Sequence, residues 1–144
     1  MASDFPRNVL LNQMNKPFTD YALDDSAMAA WAALIKVRDA VNGALETARA
    51  EKKIGKSLEA KVTVPSALLA GCRAMEADEL ADLLIVSQVS VSPDAAGIQV
   101  ESAQGAKCER CWKILPSVGR DSEHPGLCAR CGAVLRTAGP VVGR

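Results

Sequence analysis

Apolar positions along this chain follow two different periods. Met28, Trp31, Leu34, Ile35, Val41, Leu45 and Ala48 recur at three- and four-residue spacing, the pattern of one buried helix face. Asp24, Asp25 and Ser26 stand where an N-cap and a favourable negative charge belong. The segment is rich in Ala, Lys52 and Lys53 fall where a last turn favours cations, and Gly55 suits a C-cap. Together they predict a helix of roughly 28 residues. So long an apolar stripe needs a partner surface, and the rest of the chain offers little of one, which points to a larger helical bundle.

Beyond the helix the period changes to two. A strand is predicted over 59–64, with Val62 and Val64 inward and Pro65 as its stop. Ser66 is placed to cap a second helix carrying Leu68, Leu69, Cys72, Met75 and Leu80. A second strand is expected over 83–91, then a turn at Pro93, Asp94 and Gly97, then a third strand through Ile98 and Val100. This makes a small β-α-β-β unit within an α+β chain, near the lower size limit for independent stability. Residues 1–23 have no clear period and read as a connector. The expected divisions are 1–23, a helical segment 24–56, a small α/β unit 57–104, a cysteine-bearing module 105–136 and a flexible tail 137–144.

Composition changes this picture in two ways. Hydrophobic residues make up 49% of the 144 residues but aromatic ones only 3%, so the core must rest on Ala, Leu, Val and Ile. Net charge is zero, yet the charges are segregated. Basic residues outnumber acidic ones by seven to four over 36–61 and by seven to three over 105–144, with one against six between them. Two basic blocks around an acidic middle allow a polyanion to bind locally without a basic protein. No apolar run approaches the roughly 18 residues of a membrane span, and the N-terminus lacks a basic-then-apolar leader pattern. The expectation is a cytoplasmic protein with no membrane partner.

The chemistry sits in four of the five cysteines. Cys108-Glu109-Arg110-Cys111 and Cys128-Ala129-Arg130-Cys131 form two hooks with sixteen residues between them. Two intervening residues let one tight turn aim two sulfurs at a point, and two such turns complete a tetrahedron around zinc. An all-cysteine set leaves no open position for water, so the site is structural rather than catalytic. Lys107, Arg110, Lys113 and Arg130 lie near enough in sequence to offset the formal charge of the thiolates. The loop 112–127 is too poor in apolar residues to hold itself, so metal ligation must order it. Redox hooks and disulfides are the competing readings. His124 could replace a cysteine but lies outside the hook spacing, and Cys72 falls on an apolar helix side where packing suffices.

Arg110, Lys113, Arg120, Arg130 and Arg136 are the candidate phosphate contacts. Trp112 has two readings: packing over the zinc hairpin, or stacking on an RNA base. No glycine-rich phosphate cradle and no nucleophile beside the single His is visible.

Several blocks resemble a known family. Leu34-Ile35-Lys36-Val37-Arg38, Val41-Asn42, and the run from Ala48 through Lys53-Ile54-Gly55-Lys56-Ser57-Leu58-Glu59-Ala60 resemble the end of the anticodon-binding helical domain of isoleucyl-tRNA synthetases. Val62-Thr63-Val64, Leu83-Leu84-Ile85-Val86-Ser87 and the segment from Lys107-Cys108 to Cys131 resemble the C-terminal region of the same enzymes, and Asp4-Phe5-Pro6 looks like the segment before the helix. The resemblance implies that Cys108, Cys111, Cys128 and Cys131 hold one zinc ion. It also implies that the chain helps to hold tRNA(Ile), with Arg110, Trp112, Lys113, Arg120, Arg130 and Arg136 near it. The partners would be tRNA(Ile) and the remainder of the synthetase, with no DNA expected. ATP would serve only a catalytic domain that nothing in this sequence resembles. Alternatives from other classes are a zinc-stabilised protein-interaction module docking through the helix stripe, a freestanding RNA-binding accessory protein, and a DNA-repair enzyme with a terminal zinc finger.

Overall fold

A computed structural model of the chain describes residues 19–138. Most of the expected connector 1–23, the Asp4-Phe5-Pro6 block and most of the expected tail lie outside the described residues. A short 3-10 turn, Thr19–Tyr21, leads into helix α1, Asp25–Ala50. Asp24 is the N-cap, its Oδ1 accepting the Ala27 N–H at 2.7 Å. The helix ends earlier than Gly55. Lys53 N–H reaches Ala48 O at 2.9 Å, Lys52 N–H reaches Arg49 O at 3.0 Å, and Lys52 turns left-handed at φ 58°. These two bonds close a Schellman motif, which satisfies the last carbonyls without a glycine.

A 3-10 turn, Ser57–Glu59, feeds strand β1, Ala60–Pro65, which lies at the centre of a three-stranded sheet. Strand β2, Gln88–Ser92, pairs parallel with it, and strand β3, Gln99–Ser102, pairs antiparallel on its other side. The parallel pair requires a crossover, supplied by the 3-10 turn Ser66–Leu69 and helix α2, Ala77–Leu84. Along β1, Ala60, Val62 and Val64 are buried and alternate with half-buried Lys61 and Thr63, so the period-two reading of this strand holds. Leu34, Val37, Val41, Leu45 and Ala48 of α1 pack with these residues and with Leu80, Ala81 and Leu84 of α2 into one core. The unit thus supplies a partner surface for the buried face of α1. Met28 and Ile35 remain exposed on the helix.

The second helix differs from its sequence reading. The apolar residues from Leu68 to Leu80 do not form one helix, because the chain breaks at Gly71, φ 77°, and α2 begins only at Ala77. Leu83 and Leu84, read as strand, are the end of α2, which closes on Ile85 in the left-handed region at φ 56°. The strand proper starts at Gln88.

A two-stranded ribbon, β4, Ala106–Lys107, with β5, Ile114–Leu115, follows, and helix α3, Ala129–Ala138, closes the described chain. Gly105 opens the ribbon at φ 119°, and a Cβ there would run into the main chain of Leu115. Gly105→Ala is expected to lower stability by roughly 1–3 kcal/mol, from the disallowed backbone and the forced separation of β4 from β5. Denaturant unfolding checks this; a loss below about 0.5 kcal/mol, the range of neutral surface changes, refutes it.

Candidate metal centre

The ribbon presents the first hook at its tip. Cys108 N–H donates to Lys113 O and Trp112 N–H donates to Cys108 O, both at 2.9 Å, so the chain from Cys108 to Lys113 closes on itself. Trp112 takes the left-handed residue of this turn at φ 66°. The second hook is built differently. Leu127 N–H closes a turn on His124 O at 2.9 Å, Cys128 precedes α3, and Cys131 sits in the helix's first turn. Gly132 N–H donates to Cys128 O at 3.0 Å, so the two sulfurs of this hook are spaced by the opening of a helix.

The four Sγ atoms of Cys108, Cys111, Cys128 and Cys131 lie within 4.8 Å of one another. Cys111 Sγ and Cys128 Sγ are 3.8 Å apart, and a tetrahedron of Zn–S bonds of about 2.3 Å has edges of about 3.8 Å. Cys128 N–H points at Cys108 Sγ from 3.3 Å, a donor that favours thiolate. The donor set and its spacing fit zinc. Cys108, Cys128 and Cys131 are buried, while Cys111 is half-buried. Among the described residues His124 is not in the cluster; its N–H turns to Asp121 Oδ1 at 3.3 Å.

Three of the thiols sit in unequal surroundings. Burial pushes the Cys108 thiol up, but the N–H groups of Cys111, Cys128 and Arg110 outweigh it and bring it down to about 6. Burial raises Cys111, and it raises Cys128 to about 12. Several thiolates cannot share so small a volume without a cation to neutralise them.

The candidate phosphate contacts are scattered over different partners. Arg110 Nη1 lies 3.8 Å from Cys131 Sγ, so it does offset the sulfurs. Lys113 and Arg130 instead meet Asp82 of α2, at 2.5 and 3.6 Å. Arg136 is held by Asp121 at 2.5 Å and by Glu123 at 3.7 Å. Among the described residues Arg120 enters no ion pair with a carboxylate. Trp112 does not cover the hairpin. It is 62% exposed, with Lys107 Nζ 5.8 Å from its ring centroid. Cys72 packs at the edge of the main core, apart from the cluster.

Sequence reasoning missed the residues that fasten this module to the α/β unit. Ser87 is 3% exposed. Its hydroxyl donates to Leu58 O at 2.5 Å and accepts from Ile114 N–H at 2.6 Å. Gln88 Nε2 donates to Gln104 O and Ile114 O at 2.6 and 3.0 Å. Nothing periodic marks a lone Ser, Gln or Asp for such a role.

The family described as a zinc finger found in FPG and IleRS matches residues 105–133. Over a longer stretch the chain is similar to the isoleucine–tRNA ligase of Kosmotoga olearia, 42% identical over 133 residues, covering 81% of this chain and 14% of the relative. That of Geobacillus thermodenitrificans is 42% identical over 144 residues, covering 89% and 15%, and that of Dichelobacter nodosus is 47% identical over 112 residues, covering 75% and 12%. The chain therefore spans only a small fraction of the length of these relatives.

Proposed function

The chain is a relative of the isoleucine–tRNA ligases over most of its own length, and from that premise we propose that it serves as the C-terminal, tRNA-holding part of such a ligase in the cytoplasm. In this reading Cys108, Cys111, Cys128 and Cys131 hold one structural zinc. The zinc fixes a hairpin and a short helix whose basic side chains, Arg110, Arg120, Arg130 and Arg136, face tRNA(Ile), with Trp112 exposed to stack on a base; Lys113, expected from the sequence to join them, is drawn instead to Asp82. The helical segment 24–56 belongs with the anticodon-binding domain. Residues 57–104 carry the zinc domain 105–136. ATP and isoleucine are handled by the remainder of the parent, so this part supports aminoacylation by positioning.

The observation that carries the reading is the convergence of four sulfurs beside arginines on a chain related to these ligases. The interaction-module alternative needs an uncovered helix stripe, and the buried face of α1 is already occupied by β3, α2 and the Ser66–Leu69 turn. Equilibrium binding to a tRNA(Ile) transcript tests the proposal. Phosphate contacts predict that the logarithm of affinity falls linearly with the logarithm of salt. Absence of binding at low salt, or a response flat in salt, overturns it.

A further inference from the structure

Asp82 stands where α2 meets the zinc module, and its two oxygens are divided between two cations. Oδ1 is 2.5 Å from Lys113 Nζ, and Oδ2 is 3.6 Å from Arg130 Nη1. The two contacts are unequal in kind. The Lys113 side chain is 14% exposed and acts as a tether under the module. The Arg130 side chain is 62% exposed, at the mouth of a cleft of about 250 Å³ that Asp78, Asp82 and Cys111 also line. An exposed pair at that distance is weak and exchanges readily. A guanidinium accepts carboxylate or phosphate with the same fork of donors.

We propose that Asp82 is an intramolecular competitor for RNA phosphate: it occupies Arg130 in the unbound chain, and a backbone phosphate must displace it. The inference rests on the tRNA-holding reading and adds a determinant of affinity to it. Phosphate contacts carry no sequence information. A carboxylate that must be displaced therefore lowers, by the modest worth of one exposed pair, the affinity of any polyanion that uses Arg130.

The test uses the whole chain and a tRNA(Ile) transcript, with binding followed across a salt series. Asp82→Asn is expected to bind about two- to fivefold tighter at low salt, the upper part of the scale of one exposed ion pair. Its salt slope should steepen by up to about 0.7–0.9, one further phosphate contact. Asp78→Asn removes the same charge from the same cleft but releases no arginine, so it reads the diffuse electrostatic part alone and should gain less than Asp82→Asn. In an Arg130→Ala background, Asp82→Asn should gain nothing.

Equal or weaker binding by both Asp82→Asn and Asp82→Ala, with zinc content intact, overturns the proposal. So does an equal gain from Asp78→Asn, which would make the effect diffuse electrostatics, or a gain that survives Arg130→Ala. If the unaltered chain fails to bind at all, the function reading falls with it. If it binds and the Asp82 variants match it, the competitor alone is rejected.

Discussion

Removing the metal with a chelator is expected to unfold residues 105–138 while the α/β unit and α1 stay folded. The second core explains why. Its buried members are Cys108, Cys128 and Cys131, with only Cys111, Leu115, Val118 and Leu127 packed around them. Four thiols, one of them half-buried, and three half-buried aliphatic side chains cannot offset the ordering of some thirty residues, each costing about 1–2 kcal/mol of backbone entropy. Structural zinc contributes roughly 10–16 kcal/mol in small fingers near neutral pH. Hydrogen exchange at the Cys108, Trp112 and Gly132 amides reads the loss directly, because each is bonded within the hooks. Cys128→Ser is expected to give the same result and to abolish stoichiometric zinc. Unchanged protection in metal-free protein would refute the account.

The pH dependence of this effect has a definite sign. Thiols must lose their protons to ligate, and Cys111 and Cys128 are raised by burial. Binding at neutral pH therefore expels protons, and zinc is held less tightly as pH falls. Protons compete directly for Cys108 only near and below about 6. Zinc retention in a chelator competition should thus fall steeply over that acidic range.

The second large effect is expected from Val62→Asp. Val62 is fully buried at the middle of the central strand, opposite Val89 on one side and Val100 on the other. Its neighbours in this core are apolar side chains, so the new carboxylate must ionise in apolar surroundings or be held protonated. Either costs several kcal/mol, on the order of the whole stability of a small unit. The expected outcome is loss of cooperative unfolding in 57–102 and release of α1 from the sheet. The hooks, being ordered by metal, should still take up cobalt or zinc with tetrahedral thiolate absorption. Survival of a cooperative transition near the unaltered midpoint would show that this core is not what holds the unit.

The readable parts of the molecule are those whose cause is local. Helix α1 announces itself through Asp24 and a three–four spacing whose one gap Val37 fills, and both hooks through fixed cysteine intervals. The crossover was harder. Leu83-Leu84-Ile85-Val86 is a continuous apolar run, and such a run suits a buried strand as well as a helix end. The decision is made by Ile85, whose left-handed backbone is rare for a β-branched residue. The partner of α1 was also missed. Leu80, Ala81 and Leu84 of α2 are few in sequence but concentrated on the face that meets the helix. Least visible of all were Asp82, Ser87 and Gln88, whose partners lie 16 to 48 residues away and follow no spacing.

Those same contacts decide whether the finger is portable. Ser87 and Gln88 satisfy the N–H and carbonyl of Ile114 from outside the hairpin. A peptide cut at residue 105 would retain all four sulfurs yet carry two stranded main-chain groups on a face built to be covered. Engineers wishing to transplant this finger onto another scaffold would have to bring the start of β2 with it, or rebuild its hydroxyl and amide on the host.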